Sequence, residues 1–87
     1  MITRHAQVRV QQRGIPPMIL DWLLDFGARE HYLGSEVVYF DKAARRRLRT
    51  YAGQLADKAS DYLEAYAVVR GDTVVTVGYR HKHLKRH

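Results

Sequence analysis

The chain contains no cysteine, which rules out disulfide staples and thiolate chemistry. Its two prolines are adjacent, at Pro16-Pro17, so one point alone carries a strong helix-entry signal. No apolar stretch approaches the length needed to span a bilayer. The start, Met1-Ile2-Thr3-Arg4-His5, lacks the apolar run of a secretory signal. These absences lead us to expect a soluble cytoplasmic protein with no membrane partner, in a reducing compartment. Acidic residues are also scarce, with nine against 15 lysines and arginines, for a net charge of +6 in 87 residues. That length supports a single domain, 1–87, with one thin core.

The basic residues that are present are mostly of one kind, eleven Arg against four Lys. Arginine offers a planar, permanently charged fork of donors suited to phosphate. The surplus therefore leans toward nucleic acid, although an acidic protein partner would satisfy the same field. The most ordered part of it is the row His5, Arg9, Arg13, spaced four apart and ended by Gly14. On a helix this spacing stacks one imidazole and two guanidinium groups along one side. Arg13 is rotated about 80° from His5 at 3.6 residues per turn, so it is expected to pack toward Ala6 and Val10 and pin the next helix. His5 and Arg9, about 40° apart by the same geometry, form the closer pair.

Local signals organise the rest. Thr3 can cap a helix ending near 13, with Ile2, Ala6 and Val10 on its apolar side. A second helix fits 17–26, where Ile19, Trp22, Leu23 and Phe26 fall at helical spacing and Gly27 follows. Gly34-Ser35 separates two short runs and reads as a hairpin. Asp41 can cap a third helix over 42–57, weakened late by Gly53, with Ala44, Leu48, Tyr51, Ala52 and Leu55 as its stripe. Two strands, 62–70 and 73–80, flank the turn Gly71-Asp72. With that turn, Val69 faces Val74, Ala67 faces Thr76 and Leu63 faces Arg80. One face then carries Leu63, Ala65, Ala67, Val69, Val74, Thr76 and Arg80, and helices should cover it. The other carries Tyr62, Glu64, Tyr66, Val68, Val75, Val77 and Tyr79; its tyrosines could stack bases, or belong to the core or to an interface with a partner chain. The expected fold is α+β, with two N-terminal helices and a third packed on one face of an antiparallel sheet of about four strands. The basic end, 81–87, should be a frayed tail.

The pieces His5-x3-Arg9-x3-Arg13-Gly14-Ile15 and Thr76-x3-Arg80 resemble the DUF4258-type domains. These small bacterial and phage proteins are allied to the RelE/ParE-like toxin fold of barnase- and colicin-type RNases. The resemblance covers both ends, about half of the chain, and the helix expected over 42–57 departs from the family pattern. It implies helices on one antiparallel sheet and, for the wider fold, RNA cleavage without a metal, often restrained by an antitoxin protein.

That reaction needs a base for the ribose 2′-hydroxyl, cations for the phosphorane and an acid for the leaving oxygen. His5 is the expected base or acid, with His81 a second candidate for the acid. Arg9 and Arg80 are the expected phosphate-stabilising cations, and Thr76 would orient a phosphate or His5. Arg13, Arg45, Arg46, Arg49, Lys82, His83, Lys85 and Arg86 are expected to track the nucleic-acid backbone. No cofactor and no metal is expected, since His81, His83 and His87 have no carboxylate or cysteine near them in sequence. Two other functions fit the same charge: a non-catalytic RNA- or DNA-binding module of this fold, and a domain that binds an acidic protein.

Overall fold

The computed structural model describes residues 1–80. The basic stretch 81–87, which holds His81, Lys82, His83, Lys85, Arg86 and His87, lies outside the described residues.

Helix α1 spans Arg4–Arg13 and α2 spans Pro17–Phe26. Strands β1 (Ala28–Tyr32) and β2 (Ser35–Tyr39) follow as a hairpin. Then come α3 (Lys42–Ala52), a short α4 (Gln54–Lys58) and a 3-10 turn at Ser60–Tyr62. Strands β3 (Ala65–Arg70) and β4 (Thr73–Tyr79) complete a four-stranded antiparallel sheet in the order β1-β2-β3-β4. The architecture is α+β. No helix among the described residues is long and apolar enough to cross a membrane.

The local chemistry explains the boundaries. The Thr3 hydroxyl accepts from the Ala6 amide at 3.1 Å, and the Asp41 carboxylate accepts from the Ala44 amide at 2.7 Å, so both N-caps satisfy amides that the helix leaves free. Gly14 ends α1 in the left-handed region, φ 63°. Gly27 has a different reason for its missing side chain. A Cβ there would lie 2.5 Å from the Leu23 carbonyl oxygen and 2.7 Å from a Val38 methyl. Gly53, at φ 59° and ψ −131°, does more than weaken the expected third helix: it breaks it into α3 and α4. The β1–β2 hairpin turns at Leu33-Gly34, both with positive φ, one residue earlier than the sequence pattern suggested.

The core is a layer of α1, α2 and α3 side chains against one sheet face. Ala6, Ile19, Leu23 and Leu48 meet Val38, Ala65, Ala67, Val69 and Val77, all buried. Small residues on β3 let α2 approach closely, which suits Ala65 and Ala67.

The end of the sheet differs from the expected register. Val69 does pair with Val74, but Val68 pairs with Thr76 and Ala67 with Val77, because β4 carries a bulge at Val75. The extra residue turns the rest of β4 over. Val77 enters the core, Tyr79 joins it in part, and Thr76, Gly78 and Arg80 leave the helix-covered side. Leu63 and Tyr62 precede β3, so neither pairs across it. The bulge is held from outside: the Thr3 hydroxyl donates to the Val75 carbonyl at 3.3 Å, and backbone bonds join Met1 and Thr3 to Val74. The same tether fixes where α1 begins beside β4.

Candidate nucleic-acid interface

The sheet face away from the helices carries two cross-strand rows. One runs Ala28, Tyr39, Tyr66, Gly78; the other runs Glu30, Val37, Val68, Thr76. Most of these side chains are half-exposed. Arg80 closes the first row from the end of β4, its guanidinium carbon 4.6 Å from the centre of the Tyr39 ring. At that distance the cation is attracted by the ring's negative face. Glu30, Val37, Tyr39, Tyr66 and Arg80 together line a cleft of about 350 Å³.

Tyr66 stands between this cleft and another. Its ring lies across Gly78, where a Cβ would come within 2.9 Å of the Tyr66 Cε1. Beyond it, Arg9 and Arg13 of α1 join Tyr66, Gly78 and Tyr79 around a smaller cavity of about 240 Å³. Arg13 is exposed and lines this cavity with Arg9, so it does not join Ala6 and Val10 on the packed side of α1 as its helical angle suggested. The Arg9 Nε is buried without a hydrogen-bond partner among the described residues. Such an orphan costs roughly 1–3 kcal/mol in general, so the fold retains this guanidinium at some expense in stability.

His5 lies at the other end of α1. Thr3, just before it, is tied to Val75, whereas Gly14 at the far end accepts a hydrogen bond from the Tyr79 hydroxyl at 3.4 Å. Helix α1 therefore runs alongside β4 in the same direction. The rise from His5 to Arg13 is about 12 Å, and Arg80 follows Tyr79. His5 is exposed at the Val75 end, and Arg80 sits beyond the Gly14 end. Thr76 and Arg80 do share a strand face, but it is the open one.

The arginines separate into two groups. Arg29 pairs with Glu36 at 2.9 Å and donates to the Leu24 carbonyl. Arg45 reaches Glu64 and the Leu63 carbonyl, Arg47 the Phe26 carbonyl, Arg49 Asp57, and Arg70 the Ser35 hydroxyl. These groups brace neighbouring segments, and two of them, Arg45 and Arg49, were expected to track a nucleic acid. Among the described residues, the guanidinium groups of Arg4, Arg9, Arg13 and Arg46 have no hydrogen bond or ion pair, and that of Arg80 rests on Tyr39. Three of these five, Arg9, Arg13 and Arg80, stand around Tyr66.

Sequence reasoning did not single out Glu30 or Tyr39. The Tyr39 hydroxyl donates to a Glu30 carboxylate oxygen at 3.0 Å. That bond, with smaller effects of burial and nearby carboxylates, pushes the Tyr39 phenol above its ordinary value. The neutral phenol is therefore favoured in the folded state. Its contribution to stability is full below the ordinary tyrosine value and is lost as pH rises from there through the raised value of the folded protein. Tyr39 stays a neutral stacking surface at physiological pH, and Glu30 is a carboxylate acceptor beside Arg80. The alternation on β1 and β2 carried this signal: Glu30 and Tyr39 fall on one face as soon as the hairpin register is set. The Glu30→Gln variant should bring the Tyr39 phenol back down. Phenolate absorbance followed through alkaline pH, with Tyr39→Phe identifying the residue, checks this; an unchanged titration would show that the bond does not hold the phenol.

Tyr79 and Tyr62, expected on the open face with Tyr66, are elsewhere. The bulge turns Tyr79 toward α1, where burial raises its phenol, and Tyr62 lies in the 3-10 turn. Among the described residues no group of three His, Cys, Asp or Glu side chains is placed to hold a metal ion. No family model matches this chain, and no curated protein or solved structure matches it either.

Proposed function

We propose that this protein binds single-stranded RNA on the open face of its sheet. A base stacks on Tyr66 and its neighbour Tyr39, and Arg80 holds a backbone phosphate. The observation that carries this reading is the sorting of the arginines: Arg9, Arg13 and Arg80, whose guanidinium groups make no hydrogen bond or ion pair among the described residues, line the two clefts beside the half-exposed Tyr66, whereas Arg29, Arg45, Arg47, Arg49 and Arg70 brace the fold. Aromatic rings reach base faces only when the bases are unpaired, which favours single strands over duplex.

A second reading, cleavage without a metal in the manner of a small toxin, is favoured by Glu30 sharing the cleft with Arg80. In that reaction the carboxylate takes the 2′-hydroxyl proton and the O2′–P bond forms. Arg80 offsets the phosphorane charge, and the P–O5′ bond breaks as the leaving oxygen takes a proton from water or a histidine.

One experiment addresses both readings. The full chain is mixed with single-stranded and duplex RNA in EDTA across a salt series, with the His5→Ala, Glu30→Gln and Arg80→Ala variants alongside. Binding to single strands should weaken with salt, with a log–log slope of about −2 if three phosphates are neutralised. Cleavage that Glu30→Gln and Arg80→Ala abolish would establish the enzyme, and its survival in His5→Ala would remove His5 from the chemistry. Tight binding without cleavage would leave the first reading alone. No affinity at low salt would overturn both and favour an acidic protein partner.

A further inference from the structure

The geometry points to a separate terminal-phosphate site in the cavity between α1 and β4, taking a phosphomonoester dianion at the end of the RNA strand. This rests on the RNA-binding reading and adds a preference for phosphorylated ends to it. Four observations carry it. First, Arg9 and Arg13 lie one helical turn apart on α1 and both line the cavity, with no carboxylate among its lining residues. Two guanidinium charges without a counter-charge match a dianion better than the single charge of an internal diester. Secondly, the buried Nε of Arg9 has no acceptor among the described residues. A phosphate oxygen seated between the two guanidinium groups supplies one, since each presents a planar fork of donors.

Thirdly, this is the more enclosed of the two clefts beside Tyr66, and the Tyr79 hydroxyl is tied to the Gly14 carbonyl next to Arg13. That tie stands beside Arg13, and the proposed strand terminates on this side instead of threading through. Fourthly, Tyr66 lines both clefts, and glycine at position 78 leaves room for its ring to lie between them. A terminal nucleotide can then put its base on Tyr66, its terminal phosphate on Arg9 and Arg13, and the next phosphate toward Arg80. The chemistry is shared by 5′-phosphates, 3′-phosphates and free phosphate, and the probes below distinguish them.

The test uses one short single-stranded RNA in three forms, 5′-phosphorylated, 3′-phosphorylated and with hydroxyl ends, plus inorganic phosphate alone. Affinities are read by anisotropy, and the Gly78 amide is followed by NMR. Wild type should bind one phosphorylated form at least about tenfold more tightly than the hydroxyl form, a difference of about 1.4 kcal/mol. Arg9→Gln and Arg13→Gln should each bring that ratio toward one, and Arg9→Lys, which keeps the charge but loses the fork, should bring it part of the way. Arg80→Ala should weaken all three RNAs and leave the ratio intact. A wild-type ratio near one, with all three RNAs bound, would overturn the terminal-phosphate site and leave the RNA reading standing. If no RNA binds but inorganic phosphate shifts the Gly78 amide in wild type and not in Arg9→Gln, the anion site stands and the RNA reading fails. A Gly78 amide unmoved by every probe would overturn the site outright.

Discussion

Tyr66→Ala should weaken single-stranded RNA binding by about 1–3 kcal/mol, roughly five- to 150-fold, while the protein stays folded. The magnitude follows from what the ring does. Tyr66 lines both clefts of the open face, so its loss removes a stacking surface and the wall between two cationic sites. It points away from the helix layer, and neither its neighbour Tyr39 nor its partner Gly78 depends on it for core packing. Tyr66→Phe keeps the ring and should retain most of the affinity. Titration of a labelled single strand against the three proteins, with far-UV circular dichroism as the folding control, measures the effect. Equal affinities for wild type and Tyr66→Ala would remove the open face from recognition and direct attention to the other exposed arginines, Arg4 and Arg46.

Ile19→Ala should destabilise the fold by about 2–5 kcal/mol, against about 0.5–1.5 kcal/mol for Ile19→Val. Ile19 is completely buried in the first turn of α2, a helix that packs on β2 and β3. The alanines of the same core, Ala6, Ala44, Ala65 and Ala67 among them, are too small to expand into the space left behind, so a cavity remains. At about 0.05–0.15 kcal/mol per residue, a chain of this length has roughly 4–13 kcal/mol in total, so the alanine variant is expected near the edge of folding. Urea denaturation of the three proteins decides the matter. Near-wild-type stability in Ile19→Ala would mean that α2 does not seal the core.

Local signals in the sequence were legible where one residue type satisfies one backbone need. Thr3 and Asp41 accept the amides of their helices, Gly14 takes the left-handed position, and the spacing of Ile19, Trp22 and Leu23 places α2 on the core. The composition of β3, apolar at Ala65, Ala67 and Val69 and mixed between, identified its buried face. The candidate site was less legible. Arg9 and Arg80 were singled out from the chain and do stand beside Tyr66, whereas the expected pairing of Arg9 with His5 gives way to Arg9 with Arg13. Arg45 could not be told from Arg46 by sequence, because nothing local says that Glu64 and the Leu63 carbonyl will fold up beside one and not the other.

The last strand shows most clearly where sequence stops. Val74-Val75-Thr76-Val77 is apolar at three of four positions, so alternation cannot say which valine faces the core. The choice is made by the N-terminal segment. Met1 and Thr3 bond to Val74, and the Thr3 hydroxyl takes the Val75 carbonyl that the bulge leaves unpaired. That tether turns Thr76 and Arg80 to the open face and brings α1 along β4, so that Arg9 and Arg13 meet Tyr66. By itself the sequence determined the caps of α1 and α3, the presence of two hairpins and the surplus of arginine, because caps, turns and periodicity act over a few residues. Only the tertiary structure decided which arginines brace the fold and which remain available around Tyr66, because each decision depends on a partner far away in the chain.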